Sequence, residues 1–187
     1  SGALTPVLLS SGLYFLADDP QVRTSGAAAM QAVGISFLYN NTLKAVTGRA
    51  PPLADDPNPR ARSGEFKFGF LEEGVFYGWP SWHTMVNTAL ATSLYAVNRD
   101  KAWALPAAVA YSAWIGSSVV FGGRGSIHWG SEAVAGWLMG AGIGWVVGNS
   151  YYQSAKPRLA ETPTTLSALT LEPMFGEDVG MRLRYVF

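Results

Sequence analysis

Seven side chains carry the chemistry this sequence offers: Lys44, Arg49, Ser81, His83, Arg124, His128 and Glu132. The chain has 2 histidines, and they are His83 and His128. Glu132 follows His128 by four positions, so on a helix the two share a face. A carboxylate on one imidazole nitrogen fixes the tautomer and supports an imidazolium. The blander alternative is a Glu that satisfies a helix N-terminus beside an interfacial histidine. Lys44, Arg49 and Arg124 add cations, and arginine grips an oxyanion with two parallel donors. A metal centre is not expected. There are 0 cysteines, and neither an H-E-x-x-H pattern nor a calcium loop occurs. The Gly-Gly-Arg-Gly-Ser run at 122–126 lacks the Lys-Ser/Thr ending and the preceding strand of a phosphate loop.

These residues need elements to hold them. Ala3 to Ala17 is charge-free and apolar, and Asp18, Asp19 and Pro20 stop it. Thr24 to Leu43 is a second charge-free run, with Ala27, Met30, Val33 and Phe37 at helical spacing, ending near Gly48 and Pro51-Pro52. A third helix is expected from about Ser81 to Val97, a fourth from Trp103 to about Val120, and a fifth from near Ser131 to about Val147. Gly136, Gly140, Gly142, Gly144 and Gly148 give the fifth a thin face for close approach. Between helices two and three, residues 52–78 hold most of the central charges together with Phe66, Phe68, Phe70, Phe76, Tyr77 and Trp79. A connection this long with apolar surface to pack reads as a lid over one end of the bundle. Beyond Lys156 the pattern changes. Leu169, Leu171 and Pro173, then Met181, Leu183, Tyr185 and Phe187, alternate with other residues as strands do, which predicts a C-terminal β-hairpin. The expected fold is all-α: about five core helices, the lid over about 52–78, and the short hairpin. The expected division is a helical domain over 1–158 and a tail over 159–187. Antiparallel consecutive helices would bring Lys44, His83, Arg124, His128 and Glu132 to one end.

The chain has 187 residues, enough for one domain with a sizeable core. Net charge is +0 and 14% of residues are charged, well under the roughly 25% of soluble domains. No basic patch points to nucleic acid. Mean hydropathy is +0.14, high for a soluble protein and low for one built mainly of lipid-facing helices. The charge-free runs are near the length that crosses a bilayer. Trp103, Trp114, Trp129, Trp137, Trp145, Tyr151 and Tyr152 could form interfacial belts. A soluble bundle with wholly buried central helices is the other reading, and membrane association is the favoured one. The chain opens at Ser1 with no signal-peptide pattern, as a mature or trimmed form of an exported protein would.

From about Thr24 to Gly148 the sequence resembles the type 2 phosphatidic acid phosphatase and vanadium haloperoxidase superfamily, whose motifs are K-x6-R-P, P-S-G-H and S-R-x5-H-x3-D. Lys44 matches the first motif, with Pro51 where its Arg is expected and Arg49 two residues earlier. Pro80, Ser81 and His83 match the second, with Trp82 in place of Gly. His128 matches the third and Glu132 replaces its Asp, while the expected Ser and Arg fall on Phe121 and Gly122. Arg124 is two residues off register. The resemblance implies that His128 is the nucleophile, Glu132 its orienter and His83 the general acid. It implies Lys44 and Ser81 as phosphate ligands, with Arg49 and Arg124 as substitutes for the missing arginines. It also implies that no metal or other cofactor takes part.

The departures divide the functional expectation. Losing one oxyanion donor costs roughly 10²–10³ in rate, and an indole at Trp82 stands where glycine lets backbone approach phosphate. One reading is therefore a phosphatase-like envelope protein with a degenerate pocket, kept as a binding or structural component. The other is a working metal-independent phosphatase for a lipid phosphate or pyrophosphate. A haloperoxidase comes third, since vanadate needs the same pocket. The expected partners are a phosphate-like anion, a membrane, and a protein partner reached through the C-terminal hairpin by strand addition. By family analogy the protein sits in a bacterial envelope with its motif end facing the periplasm or exterior.

Overall fold

The computed structural model describes residues 4–50, 52, 63–71, 78–121, 128–155, 168–174 and 180–186. The chain divides into two compact units, Ser1–Tyr152 and Gln153–Phe187. Five helices make up the described part of the first: α1 (Thr5–Phe15), α2 (Pro20–Thr47), α3 (Trp82–Val97), α4 (Ala104–Phe121) and α5 (Gly130–Ala155).

Local chemistry sets the helix ends that matter for the site. Asp19 caps α2, its Oδ1 accepting from the Val22 amide at 2.9 Å, and Pro20 supplies the preset φ of a first turn. α2 stops at Gly48, which is left-handed with φ 48° and donates its amide to the Lys44 carbonyl. Ser81 caps α3, and the Trp79–Pro80 peptide before it is cis.

α2 and α3 run antiparallel. The start of α2 meets the end of α3, where Gln21 Nε2 donates to the Val97 carbonyl and Asn98 Nδ2 to Ser25 Oγ. The end of α2 meets the start of α3, where Asn40 Nδ2 donates to the Pro80 carbonyl and Thr47 Oγ1 to that of Trp79. α5 lies parallel to α3. A Cβ on Gly136, Gly140, Gly144 or Gly148 would run into the α3 backbone at Ser81, Met85, Ala89 and Ser93 in turn. Spacing of four keeps these glycines on one helical face; Gly142 looks into open space. Trp137 of α5 packs on Gly116 of α4 and donates its indole N–H to the Ser112 carbonyl. The core is made of small residues, with Ala28, Ala32, Ala89, Val97, Val147 and Tyr151 in one cluster and Ala29, Val33, Val86 and Leu90 in another. The outward faces are apolar too, most of all on α4, where Leu105, Val109, Trp114 and Phe121 are exposed.

Within the connection expected as a lid over 52–78, residues 63–71 run back along the end of α2. Arg49 and Phe66 form an antiparallel bridge. The amides of Ala50, Lys67, Gly69 and Leu71 are bonded in turn with the carbonyls of Glu65, Gly48, Val46 and Ala45.

The expected fold class needs one correction. The bundle of five helices fits, but among the described residues no strand belongs to it, so the C-terminal hairpin is not part of this fold. In the second unit the backbones of Ala168–Met174 and Gly180–Val186 are paired with each other. Two strands without a third, or a helix beneath them, are marginal in water. Alternation in the tail therefore does not amount to a domain element, and the turn expected at 175–178 lies outside the described residues.

Candidate active site

The sequence expectation brought the marked residues to one end of the bundle, and the helix directions put them there. Lys44 closes α2, Ser81 and His83 open α3, and His128 with Glu132 opens α5. Pro51, Gly122 and Arg124 lie outside the described residues.

Glu132 is the centre of the site. It is 0% exposed and sits in the first turn of α5, where the helix dipole favours negative charge. Its Oε2 is 2.8 Å from His128 Nδ1 and accepts from the Trp129 amide at 3.3 Å. Its Oε1 is 3.5 Å from Arg49 Nη1, an ion-pair distance without a hydrogen bond. With the carboxylate ionised, His128 Nδ1 carries the proton, and Nε2 is the ring nitrogen with the lone pair. The longer side chain of Glu thus reaches the imidazole that Asp would reach in the motif.

His83 faces this pair. Its ring centroid is 5.7 Å from that of His128, with the planes at 63°. Burial pushes the His83 pKa down to about 4, and the charges of His128 and Lys44 push the same way. Burial also lowers Lys44, to about 8, against the opposing pull of Glu132. At neutral pH the site thus holds a largely charged Lys44 and a neutral His83. Burial lowers Arg49 as well, with Glu132 opposing.

Trp82 does not fill the space between the histidines. Two rings 5.7 Å apart are in direct contact and admit no third ring between them. The indole instead meets Phe37 of α2 edge-on at 6.1 Å and packs on the Ala29, Val33, Val86 and Leu90 cluster. It touches His83 only by an edge, at 5.5 Å.

Ser81 is wholly buried. Its hydroxyl accepts from the Thr84 amide at a long 3.5 Å, and its own amide donates to the Glu132 carbonyl at 3.0 Å. Arg49 is brought into the site, but its donors point to protein. Nε and Nη2 donate to the Ser63 carbonyl at 3.1 and 2.6 Å, and Nη1 to Ser131 Oγ at 3.0 Å. Its guanidinium lies 5.2 Å from the Phe66 ring and 6.0 Å from that of Trp129. Among the described residues no group of three or more His, Asp and Glu side chains could hold a metal ion.

Motif reading passed over several contributors. Asn40 braces the Pro80 carbonyl, Asn87 Nδ2 donates to the His83 carbonyl, and Tyr111 donates to Asn87 Oδ1 at 2.6 Å. A signal for the first was present: Ser36, Asn40 and Lys44 recur at spacing four along α2, and all three are buried. Nothing in the sequence marks Ser63 or Tyr111.

The site thus combines an imidazole held by a carboxylate, a second imidazole facing it, and buried cations. Residues 26–156 match the model of the PAP2 superfamily, and the chain belongs to that family. No curated protein and no solved structure matches the chain.

Proposed function

We propose that this protein is a metal-independent phosphatase acting on a lipid phosphate or pyrophosphate through a phosphohistidine. The observation that carries the reading is the His128–Glu132 contact at 2.8 Å with His83 facing it. His128 Nε2 attacks phosphorus as the bond to the leaving oxygen breaks, and Glu132 supports the growing imidazolium charge. His83 gives its proton to the leaving oxygen, then takes one from the water that hydrolyses the phosphohistidine. Burial keeps His83 neutral at pH 7, and the negative charge of a phosphate dianion beside it favours the charged acid. Lys44 and Ser81 are the ligands of the phosphate oxygens, and Arg124 is a further candidate.

α4 supports placement at a membrane. By length and composition Ala104–Phe121 is the one candidate span among the described residues, and only 17% of it is buried. Trp114 on that helix is 67% exposed. A bacterial envelope with the site facing the periplasm or exterior is the location that the family analogy favours.

A second reading, a binding or structural component without turnover, draws support from Arg49, whose donors are engaged with Ser63 and Ser131 and whose charge lies beside Glu132. Hydrolysis of phosphatidic acid and of an aryl phosphate in excess chelator separates the two. Turnover lost in His128→Ala is the expected result. Absence of turnover in the wild type in detergent and in vesicles gives the protein to the second reading.

A further inference from the structure

Arg49 is built in as few exposed anion ligands are. It is 6% exposed, and its contacts come from two directions. From one side, the Ser63 carbonyl takes two of its hydrogen bonds and the Phe66 ring lies against it, both from the segment that bridges to Arg49 through the backbone. From the other, Ser131 Oγ and Glu132 Oε1 meet the same Nη1 at 3.0 and 3.5 Å. Glu132 in turn holds His128. One planar guanidinium thus joins the 63–71 segment to the carboxylate behind the reactive imidazole. A fork geometry can do this; a lysine ammonium has no second rigid arm.

We propose that Arg49 is a positioning residue that clamps the 63–71 segment onto the His128–Glu132 pair, so that ordering the cover and setting the nucleophile are one event. Gly48 and Gly78 show how tightly this clamp is fitted. Both have positive φ, at 48° and 91°, and a Cβ on either would strike Lys67 or Arg49 backbone. The segment that Arg49 holds carries Phe68, 76% exposed, with Phe70 and Leu71 also exposed. Arg49 therefore holds a segment with an apolar outer surface against the end of α2 instead of binding phosphate itself.

The proposal rests on the phosphatase reading for its kinetic arm alone. Amide hydrogen exchange is measured on the full chain in wild type, Arg49→Lys, Ser131→Ala and Ser131→Thr. Affinity for orthovanadate is measured alongside, with kcat and KM on an aryl phosphate. Ser131 is exposed, so its variants keep the fold if Arg49→Lys does not. The expected result is exchange at Lys67 and Gly69 faster by about tenfold in Arg49→Lys, the loss of a charged hydrogen bond, and faster by less in Ser131→Ala. Exchange at Leu90 in α3 stays as in wild type, and orthovanadate affinity stays as in wild type. kcat falls at constant KM, and Ser131→Thr, which keeps the hydroxyl, restores it. Unchanged exchange at Lys67 and Gly69 in both Arg49→Lys and Ser131→Ala overturns the clamp. So does orthovanadate binding weakened about tenfold in Arg49→Lys, which would make Arg49 a phosphate ligand. A wild type without turnover refutes the phosphatase reading, and the exchange arm still decides the clamp.

Discussion

At the α3–α4 turn, the Arg99 guanidinium lies 3.6 Å from the centre of the Tyr152 ring and donates to Asn149 Oδ1 at 2.9 Å. The Tyr152 hydroxyl donates to the Asp100 carboxylate at 2.7 Å. Asn98 joins Ser25 of α2 nearby. The other end of the same bundle also gathers arginine, carboxylate and aromatic rings, but there Arg49 and Glu132 are buried, whereas Asp100 is exposed. There Lys44 and His83 are pushed far from their ordinary pKa values by burial. His83 Nδ1, Trp82 Nε1, Asn40 Oδ1 and Glu132 Oε1 have no hydrogen-bond partner among the described residues. A closed network of partners fastens helices together. Buried groups left short of partners cost stability, and they are the groups an incoming anion or water can satisfy. The first end is a latch and the second a site, although their compositions are alike.

Variants at the two ends should separate these roles, beginning with the largest effect. His128→Ala is expected to lower turnover by at least about 10³-fold with little change in melting temperature, read by a chelator-containing assay beside a thermal melt. Glu132→Ala strips the buried cations Lys44 and Arg49 of their counter-charge. It is expected to destabilise the fold by about 3–5 kcal/mol as well as impair turnover, measured by denaturant unfolding. Gly140→Leu forces a side chain into the Met85 backbone. It should cost about 1–3 kcal/mol in the same unfolding experiment and damage the site only by parting α3 from α5. Arg99→Ala is expected to cost about 1–2 kcal/mol and leave turnover unchanged. An equal loss of activity would erase the distinction between latch and site.

A further effect is a pH dependence. His83 titrates at about 4 in the fold against 6.5 when unperturbed, so between those values the unfolded chain binds a proton that the folded chain refuses. Its contribution to stability is complete above pH 6.5, falls as pH drops towards 4, and is constant below. His83→Asn should lose that slope, so the difference between variant and wild-type unfolding free energies should change with pH between about 4 and 6.5. A difference curve flat across that range would mean that His83 is not held neutral by burial.

Much of this architecture is legible along the chain because the information is local. Asp19-Pro20, Gly48 and Asn98 bound their helices by capping chemistry that needs no partner. Four of the six glycines of α5 recur every fourth residue, which names the face that meets another helix. The His128–Glu132 spacing needs only a helix to become a contact. Other features depend on groups distant in sequence. Arg49 could be read from its neighbours as an anion ligand; it meets Ser63, Ser131 and Glu132 only when α2, the 63–71 segment and α5 converge. Trp82 looked like an obstruction because its position in the motif is known, while the direction of its ring is set by Phe37 and Val33 across the α2–α3 interface. The tail shows the reverse failure: a clean alternating pattern suggested an element, but alternation alone supplies no core to bury it.

The sequence by itself determined five helices, most of their ends (α2 starts at Pro20 rather than Thr24, and α5 runs on to Ala155 past Val147), and a histidine–carboxylate pair at a helix start, since periodicity, capping and i,i+4 spacing are properties of short stretches. The tertiary structure alone decided that the two histidines touch, that Trp82 turns away from them, and that Arg49 spends its donors on protein. Those outcomes depend on which helices approach closely enough to exclude water. Exclusion of water makes the charges around Glu132 act on one another, and only the packed bundle provides it.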